Sequence, residues 1–354
     1  MTALIKRSYQ ADQDFAAVSY LVNLCAAFDR LGEDAAFSEF QFRLNAPDLN
    51  LNQDTCLITS EPQFDGNPGC IGVALIQIQA NPNEVEGYLW IFIHPVFRGQ
   101  GFDADLIRWG ESRLLAAQEF PQRTPILRIY TRTDQSDWNT CLAQQNFSIE
   151  RQFFTMVRTT DFLEATDQWP SEFTLSSLAG SFRSGSRPDL IPELSLNATS
   201  TAAIARWIKL YNEAFANHWN HHLLTLETVQ YWQNQPDYRP ELDLVAISAA
   251  GEFAAFCSCR LKVQNPTESI GWIEWLGTHR QFRRLGLGRS MVLAGLSQLK
   301  EAGATLVKLS VDSRNPKALH LYESIGFQVS ETWLSWAKPL DGWISAKRRQ
   351  LSVA

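Results

Sequence analysis

The chain has 354 residues, too many for one average domain and enough for two. Its 38 acidic residues against 31 basic ones leave a net charge of -7. That balance excludes nucleic acid as a general partner, because phosphate backbones call for a positive surface. A hydrophobic fraction of 45% is ordinary for a globular protein. No apolar run approaches the ~20 residues that span a bilayer, and residues 1–8 lack the order of a secretory signal. No membrane partner and a cytoplasmic location are expected.

In chain order, the first half carries an apolar strand over 87–93, followed by His94-Pro-Val-Phe-Arg98-Gly-Gln-Gly101. A helical segment, a strand over 126–132, a short helix and Asn146-Phe147 come next. Residues 171–192 are rich in Ser, Gly and Pro and read as a linker. The expected division is a domain over 1–168, a linker over 169–192 and a second domain over 193–354. The second half opens with a helix over 201–215, a strand over 242–250 and a hairpin turn at Ala250-Gly251-Glu252. Phe253, Ala255, Cys257, Cys259, Leu261 and Val263 then alternate, which puts both thiols on the buried face of a strand. The scattered cysteines, and His218, His221 and His222, lack partners at metal spacing, so no metal is expected. The histidine cluster reads as pocket lining or plain surface.

A strand over 270–278 leads into His279-Arg-Gln-Phe-Arg283-Arg-Leu-Gly286, then a helix, a strand over 306–312, a short helix and Gly326-Phe327. The two halves therefore repeat one α+β unit, with a mostly antiparallel sheet flanked by helices. From 275 to 300 there is no carboxylate, yet Arg280, Arg283, Arg284, Arg289 and Lys300 all fall there. Gly286 and Gly288 let the backbone pass close to a ligand at the start of a helix, whose first N–H groups are unpaired. The combination makes a site for an anion, above all a pyrophosphate. A Rossmann reading fails because Met291 stands where the third glycine belongs.

Arg283-x-x-Gly286-x-Gly288 and the downstream Asn315-Pro-Lys-Ala318-Leu-His-Leu-Tyr322-Glu-Ser-Ile-Gly326-Phe327 resemble, in this order, two signatures of the GNAT-type N-acetyltransferases. The whole chain is similar to their tandem two-domain branch, which includes mycothiol synthase. The resemblance implies two tandem GNAT-like acyl-CoA N-acyltransferase domains and acetyl-CoA as co-substrate, with no metal. The acceptor would be an amine of a small molecule or peptide, and the protein a monomer or homodimer. It further implies that CoA lies along Leu276, Gly277 and Thr278, the turn Arg283, Arg284, Leu285, Gly286, Leu287, Gly288, Arg289 and Ser290, and Asn315. Amides near Leu276 would polarise the thioester, and Tyr322 would donate to the departing thiolate. A core tyrosine is the blander reading of Tyr322.

Glu274 shares strand parity with Ile270, Trp272 and Leu276, so an apolar setting with a raised pKa is expected. That suits a general base or a binder of the substrate ammonium, the alternative being a strand-end carboxylate in water. In the first half, Asp103 stands where the second glycine belongs, and Leu142 stands opposite Tyr322. The N-terminal domain accordingly reads as a degenerate copy, since a carboxylate repels pyrophosphate. Two rival readings stay open: a transferase of another acyl chain, and a catalytically silent acyl-CoA sensor.

Overall fold

The computed structural model describes residues 3–31, 33–61, 69–81, 84–117, 123–161, 169–180, 201–219, 221–265 and 268–340. Two compact units emerge from its contacts. Unit 1 comprises residues 1–152 with 332–354, and unit 2 comprises 153–331.

Unit 1 runs β1 (Ala3–Arg7), α1 (Ala11–Phe28), α2 (Glu33–Leu44), α3 (Leu51–Asp54), β2 (Thr55–Glu61), β3 (Cys70–Ala80), β4 (Glu84–Ile93), α4 (Phe102–Ala116), β5 (Thr124–Arg132) and α5 (Ser136–Gln144). The next strand, β6 (Ser148–Thr159), starts in unit 1 and ends in unit 2. Unit 2 continues with β7 (Phe173–Ser177), α6 (Thr201–Phe215), α7 (Leu226–Gln233), β8 (Asp243–Ser248), β9 (Phe253–Asn265), β10 (Glu268–Thr278), α8 (Leu287–Glu301), β11 (Leu306–Asp312) and α9 (Pro316–Ser324). The chain ends its described course in β12 (Gln328–Pro339), whose residues from Thr332 on belong to unit 1.

Both units have the same strand order. Unit 1 reads β1-β2-β3-β4-β5-β12, and unit 2 reads β7-β8-β9-β10-β11-β6. Every neighbouring pair is antiparallel except β4/β5 and β10/β11, which are parallel and joined through α4 and α8. Helices cover both faces of each sheet. In unit 2, α8 lays Met291, Val292, Leu296 and Leu299 against Cys257, Cys259 and Ile273. Gly295 allows that approach, since a Cβ there would stand 2.8 Å from the Cys257 sulfur. On the opposite face α6 buries Ala203, Ile204, Trp207 and Leu210, a spacing that gives a helix one apolar stripe.

The units are not contiguous in sequence, which differs from the boundaries read at 168 and 193. Local composition cannot report that each sheet takes its sixth strand from a distant segment: 332–339 pairs with β5, and 153–159 pairs with β11. Within the stretch read as a linker, Phe173–Ser177 forms β7 and pairs with β8. Residues 181–192 of that stretch lie outside the described residues.

Strand β12 and the residue that follows it complete the core of unit 1 with Leu334, Trp336 and Leu340. Trp336 is 6% exposed and donates its indole N–H to Thr131 at 2.9 Å. Trp336→Ala should therefore destabilise unit 1 by roughly 3–5 kcal/mol. Native-state hydrogen exchange is expected to show faster exchange in β5, with β9 unchanged. Unaltered protection in β5 would show that the terminal strand does not hold unit 1 together.

Candidate active-site groove

The parallel ladder between β10 and β11 runs from Ile270↔Leu306 to Ile273↔Leu309 and stops there. Beyond Ile273 the two strands part, although β10 continues to Thr278 and β11 to Asp312. A register shift between Ile273 and Trp275 marks a bulge in β10 against β9. Bulges break the alternation of faces. As a result Leu276 packs with Ile273 on the α8 side, while Trp275 joins Trp207 and Phe256 beneath α6. Gly277 is fixed by this packing, because a Cβ would stand 2.3 Å from the Phe256 ring.

The end of β10 enters a tight turn. His279 caps it by accepting from the Gln281 N–H at 3.4 Å, and Arg284 and Gly286 take left-handed φ of 68° and 80°. Gly286 is then the N-cap of α8, whose first turn carries no acidic residue. Arg283 donates to the carbonyls of Thr278 (3.2 Å) and Ala214 (3.1 Å), so the arginine braces the turn against β10 and α6.

An open groove of about 540 Å³ lies over this turn. It is lined by Leu276, Gly277 and Thr278 from β10, by Arg283, Arg284, Gly286, Leu287, Gly288 and Arg289 from the turn and the start of α8, and by Asn315. Leu285 and Ser290 do not line it: Leu285 is 52% exposed, and the Ser290 hydroxyl turns back to the Gly286 carbonyl. His218, read as pocket lining or plain surface, lines the groove, while sequence reasoning missed Phe215 and Phe282, and the α9 residues Lys317, Ala318 and Leu321. The i, i+1, i+4 spacing of the last three marks one side of α9, a signal available in the sequence. No carboxylate lines the groove among the described residues, although the chain carries a net charge of -7.

Glu274 and Tyr322 sit elsewhere. Glu274 faces a small cavity of about 30 Å³ on the α6–α7 side, among Arg260, Asp243, Tyr238, Trp232 and Trp275. Its Oε2 accepts from Arg260 Nε at 2.7 Å, so an ion pair replaces the apolar setting expected for it. The bulge also removes Leu276 from its face. In the same cavity Tyr238 donates to Asp243 at 2.9 Å, and burial raises the Asp243 pKa to about 6. Trp232 stacks on Trp275 at 4.6 Å, and Trp219 lies against Phe153.

Tyr322 is 8% exposed within the α8–α9 core and meets Phe327 edge-on at 6.0 Å. Burial pushes its hydroxyl well above the usual tyrosine range, and the nearby Cys257 thiol adds to the rise. Cys257 pairs across the ladder with Leu276, and both share one core cluster with Tyr322.

Unit 1 repeats the turn with different charges. His94 caps it by accepting from Val96 N–H, and Arg98 donates to the Ile93 carbonyl at 3.2 Å, matching His279 and Arg283. Gly99 and Gly101 have φ of 70° and 94°. The first turn of α4, however, holds Asp103 and Asp105. Cys141 donates to Asp103 at 3.3 Å, and Lys6 pairs with Asp105 at 2.6 Å. The start of α4 thus carries two carboxylates where the start of α8 carries none.

Comparison with known proteins agrees with this geometry. Residues 204–327 match the acetyltransferase (GNAT) family. Similar proteins include the mycothiol acetyltransferase of Nocardiopsis dassonvillei, 32% identical over 38% of this chain and 42% of the relative. That of Thermobispora bispora is 35% identical over 34% and 41%. A longer match, to that of Kineococcus radiotolerans, is 27% identical over 68% and 73%. In the first two, the match spans about two fifths of the relative's length. Among solved structures, a GCN5-related N-acetyltransferase from Sphaerobacter thermophilus has a TM-score of 0.68 at 21% identity, over 95% of each chain. A tandem GNAT protein from the clavulanic acid biosynthesis pathway has a TM-score of 0.67 at 14% identity, over 95% of this chain and 98% of that one. Both share the fold.

Proposed function

We propose that this chain, which belongs to the GNAT family of acetyltransferases as a tandem-domain member, transfers an acetyl group from acetyl-CoA to a primary amine, with unit 2 as the catalytic half. The observation that carries the reading is the groove of unit 2, where four cationic side chains and the N-terminus of α8 meet no carboxylate among the described residues. Such a site suits the diphosphate of CoA. Unit 1 offers aspartates at the same turn and is read as support for the fold.

In this reading the diphosphate takes the N–H groups of residues 286–289, and the pantetheine arm runs along 276–278. The thioester carbonyl then meets β10 amides beyond Ile273, where no β11 partner competes for them. The amine must arrive neutral. Its nitrogen attacks the carbonyl carbon, Glu274 takes the proton that the attacking nitrogen sheds, and the tetrahedral intermediate collapses to the amide as the C–S bond breaks. Tyr322 keeps its proton near neutral pH and donates a hydrogen bond to the thiolate. The acceptor is a small-molecule or peptide amine, and relatives named for mycothiol favour the former. The Arg260–Glu274 ion pair favours a second reading, a chain that binds acyl-CoA without chemistry. Incubation with acetyl-CoA and a panel of primary amines separates the two. Thiol release with amide formation supports the transferase, and binding without turnover on any amine supports the sensor.

Two substitutions test the assignments. Glu274→Gln is expected to lower the rate by roughly 10²–10⁴-fold, with partial recovery at higher pH as the amine deprotonates unaided. A pH-independent loss confined to amine KM would make Glu274 an ammonium binder. For Tyr322→Phe, acetyl-CoA affinity should hold while the maximal rate drops about ten- to a thousandfold. Full turnover by that variant, with chemistry limiting, would leave Tyr322 as core packing.

A further inference from the structure

The groove has a second cationic wall that the signature turn does not supply. Lys317 lines it from the first turn of α9, one helical turn before Leu321. Leu321 is the side chain that faces Gly288, with a Cβ at Gly288 standing 3.7 Å from it. Four residues of helix advance about 6 Å, so Lys317 is set that far along α9 from the seat of the diphosphate. Arg283 is occupied by two backbone carbonyls, and Arg289 donates to the Ser324 hydroxyl at 3.0 Å. Arg284 flanks the α8 turn itself, which leaves Lys317 as the groove's cation displaced from that turn.

Unit 1 provides an internal control. Its α5 begins at Ser136 as α9 begins at Pro316, so Asp137 occupies the position of Lys317. Gly288 and Ser290 likewise correspond to Asp103 and Asp105, which follow the matched left-handed glycines 286 and 101. The α9 position is cationic in unit 2 and acidic in unit 1, and the two α8 positions, neutral in unit 2, are acidic in unit 1, a joint change that fits one polyanion held from both helices.

We propose that Lys317 is a specificity residue that recognises the ribose 3′-phosphate of CoA, distinct from the diphosphate seat on α8. The proposal rests on the acetyl-CoA reading of the groove. A displaced ammonium on a flexible stem suits a phosphate monoester, a compact and doubly charged target.

Calorimetry with acetyl-CoA and with 3′-dephospho-acetyl-CoA, on the full chain and on Lys317→Ala and Lys317→Glu, tests it. The native chain should bind the dephospho analogue about tenfold more weakly than acetyl-CoA, as expected for one lost charge-assisted contact. Lys317→Ala should weaken acetyl-CoA by a similar factor and leave the analogue nearly unchanged, and Lys317→Glu should weaken acetyl-CoA further. Equal weakening of both ligands would assign Lys317 to the diphosphate and overturn the proposal, while the acetyl-CoA reading survives. No effect on either ligand would make Lys317 a solvated side chain. Failure of the native chain to bind acetyl-CoA at all would overturn both.

Discussion

The groove depends on how the end of β10 is turned into the start of α8. Arg283 holds the Thr278 carbonyl on one side and the end of α6 on the other. Gly286 supplies the left-handed residue that lets the helix begin without a side-chain cap, so its first N–H groups stay available. A cap from Ser, Asp or Asn would stabilise the helix and fill the site. Unit 1 shows the other outcome of the same backbone: the turn survives, with Arg98 on the Ile93 carbonyl and on Asp29, but aspartates follow it. The turn geometry is therefore common to both units, and the charge that follows it is what differs.

The parting of β10 and β11 is the second constraint. Parallel pairing ends at Ile273, and the bulge beside it re-aims every residue that follows. The bulge sends Leu276 to the groove side and Trp275 to the opposite face. Both features lie within three residues of Glu274, which the bulge places beside Arg260.

Much of this was legible in the sequence. The repeat, the helix over 201–215, the Cys-bearing strand and the glycine turn follow from periodicity and from residues with a single conformational purpose. What escaped has a common cause. The bulge at Glu274 changes strand parity with no residue that announces it, so Leu276 was placed on the wrong face. Arg260 pairs with Glu274 only because β9 and β10 are in register, and a lone sequence does not display register. The strand from 332–339 joins unit 1 by a contact roughly two hundred residues long in sequence, beyond any local pattern. Ten of the twelve residues expected to hold the co-substrate line one groove, whereas Leu285 and Ser290 point away as a turn and a helix dictate.

The central claim is that one polyanion site exists per chain and that it is the uncapped N-terminus of α8. A Cβ at Gly288 meets only ordinary contact with Leu321, so Gly288→Asp can fold while placing in unit 2 the carboxylate that unit 1 carries as Asp103. Calorimetric titration of acetyl-CoA into the native chain and this variant is the most direct measurement. The account predicts one site per native chain and no measurable binding by the variant. Undiminished affinity in a folded Gly288→Asp protein, or two sites on the native chain, would contradict it.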